Sequence, residues 1–485
     1  LKENLNIQVV YDWTASTSDY DEKMSLCIGS NTIPEIMNVN ATHYRALLKY
    51  DMIQPLDKYF DDYASDALKS YVKSGGEELQ KCITNEDGEL MAIPAPNLTA
   101  GGVNEMWIRQ DWLDALGLDV PRTWDELAEV AKAFVTRDPD GNGENDTIGI
   151  LGPGNSDHMN AVGGNQFGLD PLFSCFQSYP QYWLKSEDGS VEYGSIQPET
   201  KTALENISKL YADGVIDPET LVRSDSKEPL LAGKVGIFFG PWWCAYTFAD
   251  TTLSGSADWR AYFTPLSEDG KYYTHMAEPT TQYVVASKDC KNPEAAFKII
   301  NYLVANEQKW VEEGVTSTEM GTGDFYPLYN TYDNADEIEK SYEALTKYLA
   351  GDISMDDVDF STHKLLKNDM EAVTKLKKKP YDDFSLKYWN LDSDLAKTNL
   401  PRLVAIMVGD APLVNEEYVP VYNAYNGQTE TMEAKWANLK KMEEETFAKI
   451  IMGKADISEF DTFVKNWKNQ GGDQILKEIN DELSK

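Results

Sequence analysis

The residues best placed to do chemistry lie in Asp138-Pro139-Asp140-Gly141-Asn142-Gly143-Glu144-Asn145-Asp146. Asp138, Asp140, Asn142, Glu144 and Asp146 recur at every second position of a glycine-bent loop. Calcium is a hard cation that takes six or more oxygens, so short carboxylates spaced this way suit it. The spacing matches the first nine positions of an EF-hand loop. Asp138, Asp140 and Asn142 offer side-chain oxygens and Gly143 falls at the sharp turn. Glu144 offers its backbone carbonyl and Asp146 takes the ninth position. The twelfth position, normally a bidentate Glu, is Gly149, so another ligand must close the shell. The competing reading is a solvated Asp/Asn/Gly turn.

A second set of residues is aromatic. Sugars present C–H faces that stack on rings, and hydroxyls that bond to Asp, Asn, Arg and Gln. Tyr11, Asp12 and Trp13 follow an apolar run, Ile7 to Val10, that reads as a strand. Trp242, Trp243 and Tyr246 follow the apolar run Val235 to Phe239. Pro241 lacks an N–H, so the strand cannot continue and the next side chains project from its end. Tyr422 and Tyr425 stand before the C-terminal tail. Against these, Trp112, Trp124, Trp436 and Trp467 lie at helical spacing among apolar residues and are assigned to core. Catalytic signatures are absent: there are four histidines, and no GxSxG, HExxH, P-loop or GxGxxG motif. Carboxylates abound, and a glycosidase needs only two at the right separation, which a sequence does not measure.

The elements that hold these residues are well marked. Thr123 with Glu126 forms a capping box, followed by Trp124, Leu127, Ala128, Ala131, Phe134 and Val135 at helical spacing. Glu105 to Ile108 reads as a strand behind Gly101-Gly102, a candidate hinge. Further strands are expected at Ile36–Val39, Ile148–Leu151, Lys234–Phe239, Arg260–Phe263 and Gln282–Ser287, and helices at Tyr44–Tyr50, Asp57–Val72, from Pro198, from Pro293 and at three places in the tail. Strands alternating with helices predict an α/β fold with a largely parallel sheet. The stretch from about 321 to 421 carries the weakest pattern.

Composition sets limits. The chain has 485 residues and 42% hydrophobic residues, ample for large cores. The formal charge of −37 disfavours nucleic acid, anionic lipid and polyanionic ligands. Cys27, Cys82, Cys175, Cys244 and Cys290 show no CxxC pair, which leaves buried thiols and at most a disulfide. No apolar run is long enough for a transmembrane helix. The chain begins at Leu1 and reads as a trimmed mature fragment, with any anchor upstream.

The runs Trp107-Ile108-Arg109-Gln110-Asp111-Trp112-Leu113-Asp114-Ala115-Leu116-Gly117-Leu118, Pro121-Arg122-Thr123-Trp124-Asp125-Glu126-Leu127 and Asp138 to Ile150 resemble the extracellular solute-binding proteins of family 1. They resemble most the large lipoproteins that serve carbohydrate ABC importers in Gram-positive bacteria. Tyr425-Asn426-Gly427-Gln428-Thr429 is similar to the family as well. The resemblance implies a two-lobed, periplasmic-binding-protein-like (type II) α/β fold with a hinge and a helical C-terminal extension. The lobes would be 1–103 with 279–325, and 104–278 with 326–485. It implies a neutral oligosaccharide captured by hinge closure, a membrane permease as partner, a lipid anchor at the cell surface, a monomer and no catalysis. Some relatives carry calcium in this same loop, as a structural ion remote from the sugar. The Gly-Pro-Trp turn resembles the place where maltose-binding members put a stacking tryptophan, which carries over to Trp242. Asn31, His43 and Asn155 fall near family contact loops, although Gly29-Ser30-Asn31 and Pro34-Glu35 stand where the family usually has Ser-Gly-Asp and Pro-Asp. Two other readings stay open. A peptide-binding protein of this fold would line its site with a charge clamp. A polysaccharide-cleaving enzyme would release new reducing ends.

Overall fold

The computed structural model describes residues 1–154, 166–254, 256–312, 328, 330, 332–360, 363, 365–376 and 394–483. Its strands are β1 (Ile36–Asn40), β2 (Ile93–Pro96), β3 (Glu105–Arg109), β4 (Ile148–Ile150), β5 (Trp183–Lys185), β6 (Val191–Tyr193), β7 (Val235–Gly240), β8 (Trp259–Tyr262), β9 (Tyr272–His275), β10 (Thr280–Ala286) and β11 (Tyr418–Val421). The chain forms two compact units. Unit 1 is Leu1–Thr99, Glu278–Glu337 and Asp359–Lys364; unit 2 is Ala100–Ala277, Ile338–Val358 and Leu365–Lys485.

Unit 1 is built on a sheet of order β1-β10-β2. Both pairings are antiparallel, with Met37 opposite Val285 and Val284 opposite Ile93. The prolines dictate which strand is outermost: β2 is Ile93-Pro94-Ala95-Pro96, and a residue without an N–H fits only a sheet edge. Tyr44 stacks on Tyr283 with centroids 4.3 Å apart, tying helix Ala41–Lys49 to the central strand. Asn40 caps that helix, its Oδ1 accepting from the His43 N–H at 3.0 Å. The expected helix Asp57–Val72 is two helices, Asp57–Tyr63 and Asp66–Ser74. Ser65 interrupts it because its hydroxyl caps the second, accepting from Leu68 N at 3.2 Å.

Unit 2 is organised on β4-β7-β3-β8. All six residues of β7 are buried, as a strand covered on both faces requires. Met106 and Ile108 turn to one face, against Leu127, Ala131 and Phe134 of helix Trp124–Thr136. That helix carries the capping box, with Glu126 N donating to Thr123 Oγ1 at 3.3 Å and Thr123 N to Glu126 Oε2 at 3.0 Å. Trp107 turns to the other face, among Phe238, Phe248 and Trp259. The C-terminal helices Glu430–Ile451, Glu459–Trp467 and Asp473–Leu483 close over the β5–β6 hairpin. There Tyr193 stacks on Trp467 at 4.8 Å and Trp183 on Trp436 at 5.4 Å. Gly471 allows the turn between the last two helices, since its φ of 140° lies where side chains clash.

Two further expectations are corrected, and the reading of the cysteines as thiols holds. Ile7 to Val10 forms no strand, and the helix Lys2–Leu5 precedes it; a β-branched run without a neighbouring strand to pair has nothing to satisfy its backbone. The sheets are mainly antiparallel, with β4–β7 and β9–β11 the parallel pairs among the described residues. The alternation rule assumes that consecutive strands become neighbours, whereas β10 enters between β1 and β2, and β3 lies between β7 and β8. All five cysteines are free thiols.

Glu443 on helix Glu430–Ile451 is fully buried and accepts from Tyr193 Oη and Ser195 Oγ, each at 2.8 Å. Burial pushes its carboxyl up to about 7, against the pull of those two donors and of Lys440. Below pH 4.5 the folded and unfolded chains both hold the proton. Between about 4.5 and 7 the unfolded chain ionises first and gains. Above that window the penalty is constant. At about 1.4 kcal/mol per pH unit the loss is on the order of 3 kcal/mol. Glu443→Gln keeps an acceptor oxygen and is expected to lose about 3 kcal/mol less than the wild type on going from pH 4 to pH 8. Urea unfolding at the two pH values measures this, and equal losses would show that the burial carries no penalty.

Candidate functional site

The Asp138–Asp146 loop follows helix Trp124–Thr136 and leads into β4. Its first aspartate shapes it: Asp138 Oδ1 and Oδ2 accept from the N–H groups of Asn142 and Gly143, each at 3.0 Å. Gly141 and Gly143 have φ of 67° and 80°, which lets the chain wrap back over Asp138. The remaining oxygens converge. Asn142 Nδ2 lies 3.0 Å from Asp140 Oδ2 and 3.2 Å from Asp146 Oδ1. Lys234 Nζ lies 2.5 Å from Asp146 Oδ2 and 3.7 Å from Asp140 Oδ2. Carboxylates of the third and ninth positions thus face the same two nitrogens, the neutral Asn142 amide and the Lys234 ammonium. The donor types suit a hard divalent ion, but as the side chains stand no group of three or more His, Cys, Asp or Glu among the described residues could hold one, and Asn142 turns Nδ2, not Oδ1, to the two carboxylates. Lys234 Nζ draws the Asp146 carboxyl below the usual carboxylate range.

The twelfth position is closed to any side chain. A Cβ on Gly149 would sit 2.7 Å from the carbonyl oxygens of both Ala131 and Val215. Lys234 comes from the residue before β7, which β4 meets in parallel register with Ile148 opposite Val235. Nothing in the sequence joins Lys234 to a loop 88 residues earlier; only that pairing does.

At the far end of β7 is the Gly240-Pro241-Trp242 turn. Trp242 and Trp243 belong to a short 3-10 turn, and Tyr246 lies in the helix Ala245–Leu253 that follows. Trp242 is buried, Trp243 half-buried and Tyr246 48% exposed. Two acids that the sequence analysis missed lie beside them. Glu105 is directly opposite Gly240 in the β3–β7 ladder. Asp410 follows the π-helical turn Ala405–Gly409, whose last residue presses on Trp242: a Cβ on Gly409 would lie 2.7 Å from the Trp242 carbonyl oxygen. Glu105 and Asp410 are both 0% exposed. Among the described residues, no carboxylate oxygen of either finds a hydrogen-bond partner, nor does Trp242 Nε1. Burial pushes both carboxyls well above the usual range, helped by Asp410 and Glu416 for Glu105, and by Glu339 and Glu343 for Asp410. Glu416 is itself paired with Arg122. The signal for Glu105 and Asp410 was a lone acid in or after an apolar run, in Val103-Asn104-Glu105-Met106-Trp107-Ile108 and Ala405-Ile406-Met407-Val408-Gly409-Asp410.

The other expected positions fall elsewhere. Trp13, Tyr20 and His43 form one aromatic series in unit 1, with centroids 5.6 and 6.2 Å apart. His43 is buried there, its Nε2 3.3 Å from the Asp21 carbonyl oxygen. Tyr11, Asp12 and Asn31 are exposed. Tyr425 is placed in the core of unit 2, its hydroxyl donating to Glu482 Oε2 at 3.0 Å. Asn155 lies outside the described residues. Trp112 and Trp467 are fully buried, while Trp124 and Trp436 are half-buried rings packed on the same core. His275 is buried edge-on between Tyr179 and Tyr182, and burial pushes its pKa down to about 3, so it carries no charge at neutral pH.

Because Gly149 is walled by backbone, Gly149→Glu is not expected to complete the ion shell. It should overpack the junction of β4 with helix Trp124–Thr136 and destabilise the protein by about 3 kcal/mol. A urea midpoint equal to the wild type would contradict the packing described.

A family model of bacterial extracellular solute-binding proteins matches residues 1–310. FusA of Streptococcus pneumoniae serotype 4, a fructooligosaccharide ABC transporter substrate-binding protein, is 30% identical over 246 residues, 47% of this chain and 43% of FusA. The match therefore spans less than half the length of that relative. YtcQ of Bacillus subtilis, a polygalacturonan/rhamnogalacturonan-binding protein, is 24% identical over 469 residues, 94% of this chain and 82% of that one. Of solved structures, an HMO-binding, ABC-transporter-associated solute-binding protein from Bifidobacterium longum infantis superposes with a TM-score of 0.58 at 19% identity, covering 96% of this chain and 90% of that one. An EF-hand mutant of FusA with fructo-nystose gives 0.50 at 18% identity, covering 98% and 92%. These likenesses show a type II periplasmic-binding-protein-like fold. With the family model matching well over half its length, the chain belongs to the bacterial extracellular solute-binding proteins.

Proposed function

We propose that this chain is the substrate-binding component of a carbohydrate ABC importer, capturing a neutral oligosaccharide and presenting it to a membrane permease without chemical change. The observation that carries the reading is the grouping of Trp242, Glu105 and Asp410. It combines an indole with two carboxyls, none of whose polar atoms finds a hydrogen-bond partner among the described residues, and a hydroxyl-rich ligand both donates and accepts. The acids also argue for a neutral ligand, because Glu339, Glu343 and Glu416 surround them and a uronate would add like charge. The names of FusA and YtcQ support a glycan, one of each charge type. A peptide would need a charge clamp, and the acids at this turn offer one sign only. Localisation follows the family: an extracellular protein, held at the surface of a Gram-positive cell by a lipid anchor.

Trp242→Ala removes the aromatic platform. One such platform is worth about 2 kcal/mol, or roughly a thirtyfold loss of affinity. Calorimetric titration against a panel of neutral oligosaccharides and oligogalacturonates checks both claims. Trp112→Ala serves as the core control, expected to melt lower by about 3–5 kcal/mol of stability. Wild-type affinity in Trp242→Ala, or tighter binding of the uronates, would overturn the reading. A pair of raised carboxyls is also what glycan cleavage would use. Incubation with the bound glycan is expected to release no new reducing ends.

The same reading includes one structural calcium ion, held by Asp138, Asp140, Asn142, the Glu144 carbonyl and Asp146. When bound it would neutralise the loop's carboxylates and brace the entry to β4. The EF-hand of FusA supports this. Calcium at about 100 times its dissociation constant stabilises by roughly 2.7 kcal/mol. Chelation should therefore lower the melting temperature, and Asp140→Ala should remove the difference; identical melting curves for the chelated and calcium-loaded wild type would contradict the assignment.

A further inference from the structure

Glu105 and Asp410 are 0% exposed, and among the described residues no oxygen of either carboxyl has a hydrogen-bond partner. Glu105 and Trp107, two residues apart, turn to one face of β3. The π-helical turn Ala405–Gly409 lies over that face, since a Cβ on Gly409 would meet Trp107 Cζ2 at 3.0 Å as well as the Trp242 backbone. Asp410 follows that turn, and its charge is felt at Glu105. We infer that Glu105 and Asp410 recognise the ligand as neutral carboxylic acids: each gives its O–H to a ligand oxygen and takes a ligand O–H on its carbonyl oxygen. The inference rests on the carbohydrate reading above and deepens it, since it names the hydrogen-bonding groups by which that site selects its ligand.

A carboxylate out of water needs a cation or several donors. The charged groups that act on Glu105 are Asp410 and Glu416, and those that act on Asp410 are Glu339 and Glu343 of helix Glu337–Ala350. All are acids, and Glu416 is paired with Arg122. Arg260 of β8 and Arg402 of helix Asp394–Val404, on elements packed against the π-helical turn, are bonded to Asp258 and Asp369 instead. The other titratable groups that feel the two acids are Cys244 after the Trp242 turn, Tyr272 of β9 and Tyr418 of β11. Burial pushes each of these up as well, so they stay neutral and none supplies a positive charge. A carboxylic acid donates and accepts, as a sugar hydroxyl does, so the pairing leaves no orphan polar atom on either side. Two consequences follow. Binding moves no proton. And the ligand positions that face these acids carry free hydroxyls, since a methyl ether there keeps an acceptor and has no donor.

Infrared spectroscopy and calorimetry of the full chain at pH 7 test this. The ligand-free wild type is expected to show carbonyl stretching bands of protonated carboxyls, one of them lost in Glu105→Gln and another in Asp410→Asn. Maltotriose, cellotriose, xylotriose and kestose are the probes. The tightest of them is titrated into the wild type in buffers of different ionisation heats, and binding is expected to take up or release no net proton. Adding that probe should shift the two infrared bands without abolishing them. Asp410→Asn keeps a donor and an acceptor and is expected to bind the probe about tenfold more tightly than Asp410→Ala, which keeps neither. Absence of the two bands from the ligand-free wild type, release of about one proton or more on binding, or equal affinities in Asp410→Asn and Asp410→Ala overturns the inference while leaving the carbohydrate reading standing. Failure of every probe to bind the wild type overturns the carbohydrate reading itself, and with it this one.

Discussion

The pairing of β7 with β3 on one edge and β4 on the other is the interaction on which unit 2 depends. Each end of β7 meets a group of carboxylates. Lys234, just before it, reaches the aspartate loop, and the Gly240-Pro241-Trp242 turn, just after it, meets Glu105 and Asp410. Six residues of strand span roughly 20 Å. The strand between them is buried on both faces, with Ile237 and Phe239 in the core that holds helix Trp124–Thr136 and Phe238 against Trp107 and Phe248.

Charge is the second constraint. A chain with a formal charge of −37 has far more carboxylates than cations to pair them. Most stay in water. The exceptions are buried acids, each held differently. Glu443 has two hydroxyl donors and Asp170 one amide donor, from Asn104 at 2.7 Å. Burial still pushes each up to about 7. Glu105 and Asp410 have no donors at all among the described residues. Burying an acid without a partner costs several kcal/mol unless it keeps its proton. That cost sets these two acids apart from the many exposed ones.

Unit 1 shows how the chain's path shapes the sheets. Its central strand, β10, arrives only after the chain has traversed most of unit 2, and it pairs with β1 and β2 at once. Until it arrives, β1 and the proline-bearing β2 have no common partner, and Tyr44 has no Tyr283 to stack on. That late insertion is also why both pairings are antiparallel where an alternating βα pattern predicts parallel ones.

Local features were legible because their causes are local. Thr123 and Glu126 satisfy each other's backbone three residues apart, so the capping box is written in the sequence. The aspartate spacing and the glycines that bend the loop are equally short-range, as is Pro241 stopping β7. Assigning Trp112 and Trp467 to the core needed only helical periodicity. Ile7 to Val10 misled for the complementary reason: strand propensity counts only where another strand supplies the hydrogen bonds. Whatever required two distant segments to meet was decided by the tertiary structure. Lys234 reaches Asp146 because β4 and β7 pair in parallel, and Asp410 reaches the Trp242 turn because Gly409 has no side chain to keep it away. Tyr425, an exposed platform on paper, is core because Glu482 on the last helix accepts its hydroxyl. Residue type and spacing thus set what each segment could do, while burial and partnership, which set pKa, charge compensation and access, arise only when the segments pack.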